Sequence, residues 1–187
     1  MCIKNLTVSL LAIALMSGCA SMSKSECLSA DWLQRGVQDG SSGALASTLT
    51  QHDKACAKVG ITPDQALYLQ GHAQGLISYC TPEKGLLEGR QNNEYLDVCP
   101  QKLEANFLAS YIDGLELKLI ELESNRYHPQ SLLDRLRREQ AALGNKSDRH
   151  LTKRISTEQN TLRRNTAERY QIRARIANYR VKLHSSP

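Results

Sequence analysis

The six cysteines have the widest choice of chemistry in this chain, because a thiol can accept a lipid, form a disulfide or bind a metal ion. They are Cys2, Cys19, Cys27, Cys56, Cys80 and Cys99. No pair has the C-x-x-C spacing of many zinc sites, and His52 with Cys56 is an isolated i, i+4 pair. The sequence therefore predicts no metal site and no other cofactor.

Cys19 closes a segment with the pattern of a secretory signal. Lys4 precedes an apolar run over residues 6–16, which is too short to cross a bilayer as a helix. Met16-Ser17-Gly18-Cys19 resembles a bacterial lipobox, whose cysteine becomes the acylated first residue of the mature lipoprotein. We expect residues 1–18 to be the signal peptide and Cys19 to carry lipid such as palmitate. The alternative is an ordinary cleaved signal peptide that happens to contain Cys19.

The residue after Cys19 predicts which membrane holds the lipid anchor. It is Ala20, whereas an aspartate there commonly retains lipoproteins in the inner membrane, so we expect a lipid anchor in the outer membrane and a periplasmic location.

Four cysteines in an oxidising compartment predict two disulfides, with three possible pairings. Cys27–Cys56 and Cys80–Cys99 are favoured, because each closes one local excursion of the chain.

The elements that position these cysteines are predicted to be helices. A polar tether over 19–25 leads to a disulfide-stapled helical domain over 26–100. Three pairs of glycines sit one helical turn apart, which is typical of helices that pack closely. They are Gly36 and Gly40, Gly71 and Gly75, and Gly85 and Gly89.

Residues 101–187 are predicted to form a long helical hairpin. A coiled-coil-like 4-3-4-3 spacing relates Leu108, Ile112, Leu115, Leu119 and Leu122. His128-Pro129 predicts a kink or a new helix start. A turn at 144–148 precedes a last helix over 149–184 that folds back antiparallel. The predicted fold class is all-α; the alternative for this half is two loosely associated or partly disordered helices.

Charge is segregated along the chain. Residues 19–125 carry eight Lys/Arg and fourteen Asp/Glu, net −6, whereas residues 126–187 carry fifteen and five, net +10. The apolar frame of the last helix is interrupted at Glu158, Asn165 and Arg169, which predicts an exposed docking surface rather than core. The proposed anion-binding residues are Arg163, Arg164, Arg169, Arg173, Arg175 and Arg180. The expected partner is an anionic envelope polymer or an acidic protein, and export argues against nucleic acid.

No catalytic residue is predicted. The chain has no G-x-S-x-G, H-E-x-x-H or P-loop motif, and of its five histidines only His72 lies in a motif-like segment. The sequence therefore favours an interaction or structural component of the cell envelope over an enzyme. The alternative is a cell-wall-directed enzyme or enzyme regulator that uses the Cys80–Cys99 loop. Oligomeric state stays open.

Three motifs carry a family resemblance. D-W-x-x-x-G-x-x-D-G-x-x-G at 31–43, L-Y-L-x-G-x-A-x-G at 67–75 and a G-L-x-x-G segment between Cys80 and Cys99 resemble the YfiL-like envelope lipoproteins of Gram-negative bacteria. The resemblance covers about residues 31–115. That family has a domain of unknown function, so the resemblance implies an envelope location and supplies no catalytic residues. It also supports the pairing of Cys27 with Cys56.

Overall fold

The computed structural model describes residues 22–144 and 148–185, without the side chain of Ser185. The predicted signal peptide and Cys19 lie outside these residues. The described chain contains no strand, which confirms the all-α prediction. Its helices are α1 Lys24–Leu28, α2 Trp32–Ser41, α3 Leu49–Cys56, α4 Gln65–Tyr79, α5 Pro82–Arg90, α6 Gln101–Ser124, α7 Tyr127–Ala142 and α8 Arg149–Ser185. Short 3-10 turns, Ala46–Thr48 and Ala57–Val59, flank α3.

Helices α2 and α4 touch backbone to backbone through their glycines. A Cβ atom on Gly36 would lie well under 3.0 Å from the Tyr68 carbonyl oxygen, and one on Gly40 would meet that of His72 in the same way. Gly71 on α4 meets the α2 backbone reciprocally. Because the contacts advance along both helices together, α2 and α4 run parallel. Only glycine permits this approach.

The pair α5 and α6 repeats the same arrangement. A Cβ on Gly85 would collide with the carbonyl oxygen of Phe107, and one on Gly89 with that of Tyr111. Gly114 supplies the reciprocal small residue on α6. The interpretation of the glycine pairs as close-packing positions is therefore confirmed.

Both favoured disulfide pairings are confirmed. Cys27–Cys56 joins α1 to α3 with a Cα–Cα distance of 5.3 Å, and Cys80–Cys99 joins the end of α4 to the start of α6 at 5.6 Å. Each closes a loop long enough to stabilise the fold by about 3 kcal/mol in the chain-entropy account. Helix α2 packs mainly on α4 rather than on α3, the next helix along the chain.

The described end of the predicted tether is part of the fold. Met22 is 3% exposed, and its Sδ lies 3.9 Å from Cys56 Sγ. The Ser23 side chain accepts a hydrogen bond from the Glu26 N–H, and the Glu26 carboxylate accepts one from the Ser23 N–H. This capping box starts α1 inside the segment predicted as tether.

Three hydrophobic clusters follow one another through the molecule. The first core surrounds the Cys27–Cys56 disulfide and includes Met22, Trp32 and Tyr68. Helix α4 links it to the central core. The central core contains Leu76, Tyr79, Cys80, Tyr95, Cys99, Phe107, Leu108, Tyr111, Ile112, Leu115, Leu122, Ile172 and Ile176. It thus includes residues from both sides of the domain boundary predicted at 100/101.

The predicted antiparallel hairpin is present. Asn165 Nδ2 on α8 donates a hydrogen bond to the Leu122 carbonyl oxygen at 2.9 Å, whereas Lys182, farther along α8, pairs with Glu104 near the start of α6. Helix α8 therefore runs back along α6 and α7. At the far end, the distal core packs α7 against the start of α8, and its buried residues are Leu133, Leu136, Leu151 and Ile155.

The break between α6 and α7 lies slightly before its predicted position. Helix α6 ends at Ser124, and α7 begins at Tyr127. Pro129 is therefore in the first turn of α7, where a missing N–H costs no helical hydrogen bond. None of the described helices is long and apolar enough to cross a membrane.

Candidate functional site

The segment between Cys80 and Cys99 is packed and contains a helix, so it is not an open loop. Helix α5 occupies its first half, and Tyr95 in its second half is 3% exposed. The Tyr95 hydroxyl donates to Glu104 Oε1 and accepts from the Cys99 N–H, both at 3.0 Å. Tyr179 on α8 donates to the Tyr95 carbonyl oxygen at 3.2 Å. Helix α8 therefore lies over this loop and fixes it.

Buried tyrosines surround this contact. Burial raises the pKa of Tyr79 to about 12 and that of Tyr179 to about 12. Burial also raises the pKa of Tyr95, and it raises that of Tyr111 although the nearby Arg175 opposes the shift. The folded state thus favours the neutral phenols.

We expect the protein to lose stability at alkaline pH. Because the folded pKa values are raised, the stabilisation is complete below the unfolded value near pH 10 and is lost as pH rises toward about 12. Urea unfolding followed by circular dichroism should show a midpoint that falls above about pH 10, with a shallower fall in Tyr79→Phe. A midpoint unchanged through this range would contradict the shared burial of the phenols.

The structure divides the six predicted anion-binding arginines into two groups. Arg169 is 8% exposed, and its Nη2 lies 2.6 Å from Glu123 Oε1. The prediction that these arginines lie outside the core is therefore wrong for Arg169, because a carboxylate on α6 compensates its charge. Arg163, Arg164 and Arg173 are exposed.

The remaining two also make contacts inside the molecule. Arg175 donates to the carbonyl oxygen of Asn93 and to the hydroxyl of Tyr111, both at 3.2 Å, and to the Asn92 side chain. Arg180 pairs with Glu116 on α6. Arg169, Arg175 and Arg180, in the second half of α8, thus bind groups within the acidic segment, residues 19–125.

The first half of α8 and all of α7 carry a different set of cations. These residues are exposed, and across 22–144 and 148–185 none of them forms an ion pair. We call them the distal basic end: Arg135, Arg137, Arg138, Arg149, Lys153, Arg154, Arg163 and Arg164. Of this set, only Arg163 and Arg164 were predicted from the sequence. The density of arginine in 135–138 and 149–154 was the available signal for the others.

An open apolar groove of about 590 Å³ lies between α6, the start of α7 and α8. Ile120 is 66% exposed and Tyr127 is 82% exposed along it. Its two glutamates, Glu116 and Glu123, already pair with arginines of α8. The groove therefore offers contact area without a convergent set of reactive groups.

Sequence reasoning missed a buried polar network between α2, α3 and α4. Asp39 Oδ2 accepts a hydrogen bond from the Tyr68 hydroxyl at 2.7 Å and lies 2.7 Å from His52 Nε2. His52 is 3% exposed, and its Nδ1 has no partner among the described residues. In a histidine–aspartate pair, the imidazole can act as a general base. Here, however, the imidazole is buried and its Asp39 partner also binds Tyr68, so the pair joins helices α2, α3 and α4.

His72 is likewise a packing residue. It is 6% exposed, and its Nε2 lies 2.7 Å from the Ala44 carbonyl oxygen. Within the described ranges, no group of three or more His, Cys, Asp or Glu side chains could hold a metal ion.

Together, the fold and these surfaces define an all-α, disulfide-stapled protein that extends a long basic hairpin. Residues 31–116 match a domain family described as "Protein of unknown function (DUF2799)". The matched segment runs from the N-cap of α2 into α6, so it holds both glycine-packed helix pairs and the Cys80–Cys99 disulfide. No curated protein and no solved structure matches the chain. Helices α7 and α8 lie outside the family match.

Proposed function

We propose that this chain is a lipoprotein of the YfiL-like kind, anchored in the outer membrane and facing the periplasm, where it is an interaction or structural component of the envelope. The observation that carries the proposal is the pair of disulfides in the described fold. Disulfides persist in oxidising compartments such as the periplasm. The lipobox pattern ending at Cys19 supplies the anchor for a chain exported there.

The position of Met22 adds a geometric argument. Its side chain is buried against the Cys27–Cys56 disulfide, so the fold holds the chain from residue 22 onward. Three residue steps separate Cys19 from Met22. An extended chain spans at most about 3.6 Å per residue, so the lipid holds the first core within about 11 Å of the membrane surface. The disulfide-stapled domain is then a base on the membrane, and the hairpin is its extension.

The enzyme alternative has no specific support in the site. A pocket that combines His72 with a carboxylate would favour it, whereas His72 is packed against the Ala44 carbonyl group. The Cys80–Cys99 loop contains α5 and is covered by α8. An interaction role is therefore the function that the geometry supports best.

The anchor is tested by fractionation of cells that express Cys19→Ala. We expect this variant to leave the membrane fraction, because the acylated thiol is the only anchor that the proposal provides. Cys2→Ala is the matched control, since it removes a cysteine within the predicted signal peptide, and it should stay with the membrane as the parent chain does. Retention of Cys19→Ala in the membrane fraction would exclude the lipid as anchor. Crosslinking in intact cells would then identify the partner of the anchored protein.

A further inference from the structure

We propose that the distal basic end binds the carboxylate-bearing polymer of the cell wall. This inference rests on the proposed periplasmic location for its biological partner. It assigns the binding surface to the far end of the hairpin, on both α7 and α8. The surface differs from the arginine stripe of residues 163–180 that the sequence suggested.

The chain uses much of the positive charge of α8 in contacts within the molecule. Along the second half of α8, Arg169 and Arg180 pair with glutamates of α6. Lys182 pairs with Asp97 at 2.9 Å and with Glu104 at 2.7 Å. These contacts pair three cations of α8 with four carboxylates of residues 19–125. The charge that remains available to a partner is therefore concentrated beyond them, at the distal basic end.

The hairpin also combines cations from two helices. The distal core packs Leu133 and Leu136 of α7 against Leu151 and Ile155 of α8. The exposed cations next to these core residues on both helices are therefore brought to the same end of the hairpin. Residues 131–165 contain nine Lys/Arg and four Asp/Glu, net +5. A field of this sign attracts anionic polymers and favours their binding.

The type of cation indicates the type of ligand. Seven of the eight exposed cations of the distal basic end are arginines. The planar guanidinium group binds a carboxylate through two parallel hydrogen bonds, which an ammonium group cannot do. Carboxylates repeated along a polymer allow several such contacts at once. The arginine content therefore fits an acidic polymer.

The surface residues of the hairpin fit a cell-wall polymer better than a lipid membrane. Helices that bind membranes insert large apolar side chains beside their basic residues. Across residues 128–144 and 148–169, the structure has no exposed large hydrophobic side chain. Ile155 of the distal core also lies seventeen residues before Ile172 of the central core, about 25 Å along α8. Both observations favour a polymer that the hairpin reaches, rather than a bilayer in which it embeds.

The test is co-sedimentation of purified full-length protein with cell-wall sacculi. The tip variant replaces Arg137, Arg138, Lys153 and Arg154 by glutamine. We expect its binding to sacculi to be at least about tenfold weaker at about 0.15 M salt, because each cation near an anionic surface contributes several-fold. Its helix content should stay unchanged, since glutamine is a comparable helix former.

The matched control removes four positive charges from the other end of the molecule. Lys24, Lys54, Lys58 and Lys102 are exposed residues of α1, of α3 and its flanking turn, and of α6. The variant with glutamine at these positions has the same net charge as the tip variant and should bind sacculi as the parent protein does. Equal loss in both variants would mean that total charge matters, and it would overturn the assignment.

Phosphatidylglycerol vesicles provide the competing surface. Parent protein that binds these vesicles more tightly than sacculi would also overturn the proposal and would indicate a lipid partner. The parent protein and both glutamine variants carry Cys19→Ala in this assay, so no acyl chain contributes to vesicle binding and the comparison reports on the distal basic end. A failed anchor appears in the fractionation of Cys19→Ala, so the two proposals fail in different experiments.

Discussion

Gly71→Ala is expected to destabilise the protein by about 3 kcal/mol or more, at the upper end of the usual cost of an overpacked contact. The added methyl group would lie well under 3.0 Å from the Leu33 carbonyl oxygen on α2. Backbone atoms cannot rotate away as a flexible side chain can, so α2 and α4 must separate. Their separation also strains the hydrogen bond between Asp39 of α2 and Tyr68 of α4.

Helix propensity alone predicts that Gly71→Ala stabilises the protein, so a loss of stability can be assigned to the clash between the helices. In a helix interior, alanine is favoured over glycine by about 1 kcal/mol. Ala73 is exposed two residues later on the same helix, so Ala73→Gly should cost only about that amount. Urea unfolding with both disulfides intact measures both variants. A Gly71→Ala protein as stable as its parent would show that the helices can relax apart, and it would refute tight backbone packing as the reason for glycine.

The glycine pairs show how far the sequence determines this fold. Spacing of one helical turn identified Gly36 with Gly40 and Gly71 with Gly75 as close-packing positions, and they are. The identity of the partner helix was not predictable in the same way. A short connection from α2 to α3 favours an antiparallel neighbour, yet α2 packs parallel to α4, beyond a 3-10 turn on each side of α3. Local spacing encodes the surface of a helix, whereas its partner depends on contacts distant in sequence.

The disulfide pairing could be predicted although the packing of α2 on α4 could not. Cys27–Cys56 connects α1 with α3, and Cys80–Cys99 closes the segment that contains α5. Each bond joins cysteines that are neighbours in sequence order, so pairing by shortest loops succeeds although α2 lies on α4. The compartment inferred from the lipobox supplied the other half of that prediction.

The role of the α8 arginines was harder to predict. Polar residues in the middle of a heptad frame suggested an exposed surface, but Asn165 and Arg169 face α6, where the Leu122 carbonyl oxygen and Glu123 accept their hydrogen bonds. A buried polar group is tolerated when its partner is present. The partners lie more than forty residues earlier in the chain, and nothing in the α8 sequence identifies them. Hydrophobic periodicity alone therefore cannot separate an exposed arginine from a compensated one.

This division of the arginines predicts two opposite outcomes for the same chemical change. The double variant Arg169→Gln with Arg175→Gln should destabilise the protein by about 2 kcal/mol or more. Hydrogen bonds to charged groups contribute about 1.5–3 kcal/mol each, and the half-exposed Glu123 lowers the share of Arg169 through solvent screening. Arg175 holds the Asn93 carbonyl group and the Tyr111 hydroxyl, so its loss also loosens the loop under α8.

The matched control is Arg163→Gln with Arg164→Gln, which removes the same charge from the same helix. Both residues are exposed and unpaired within the described chain, so the free energy of unfolding should change by no more than about 0.5 kcal/mol. Urea unfolding followed by circular dichroism compares the two double variants at one ionic strength. If both unfold at the same urea concentration, the arginines of α8 act only as solvated charge, and the hairpin is held by its apolar seam. If the first unfolds earlier, the second half of α8 holds the hairpin on the domain, and the distal basic end is the part left to bind a partner.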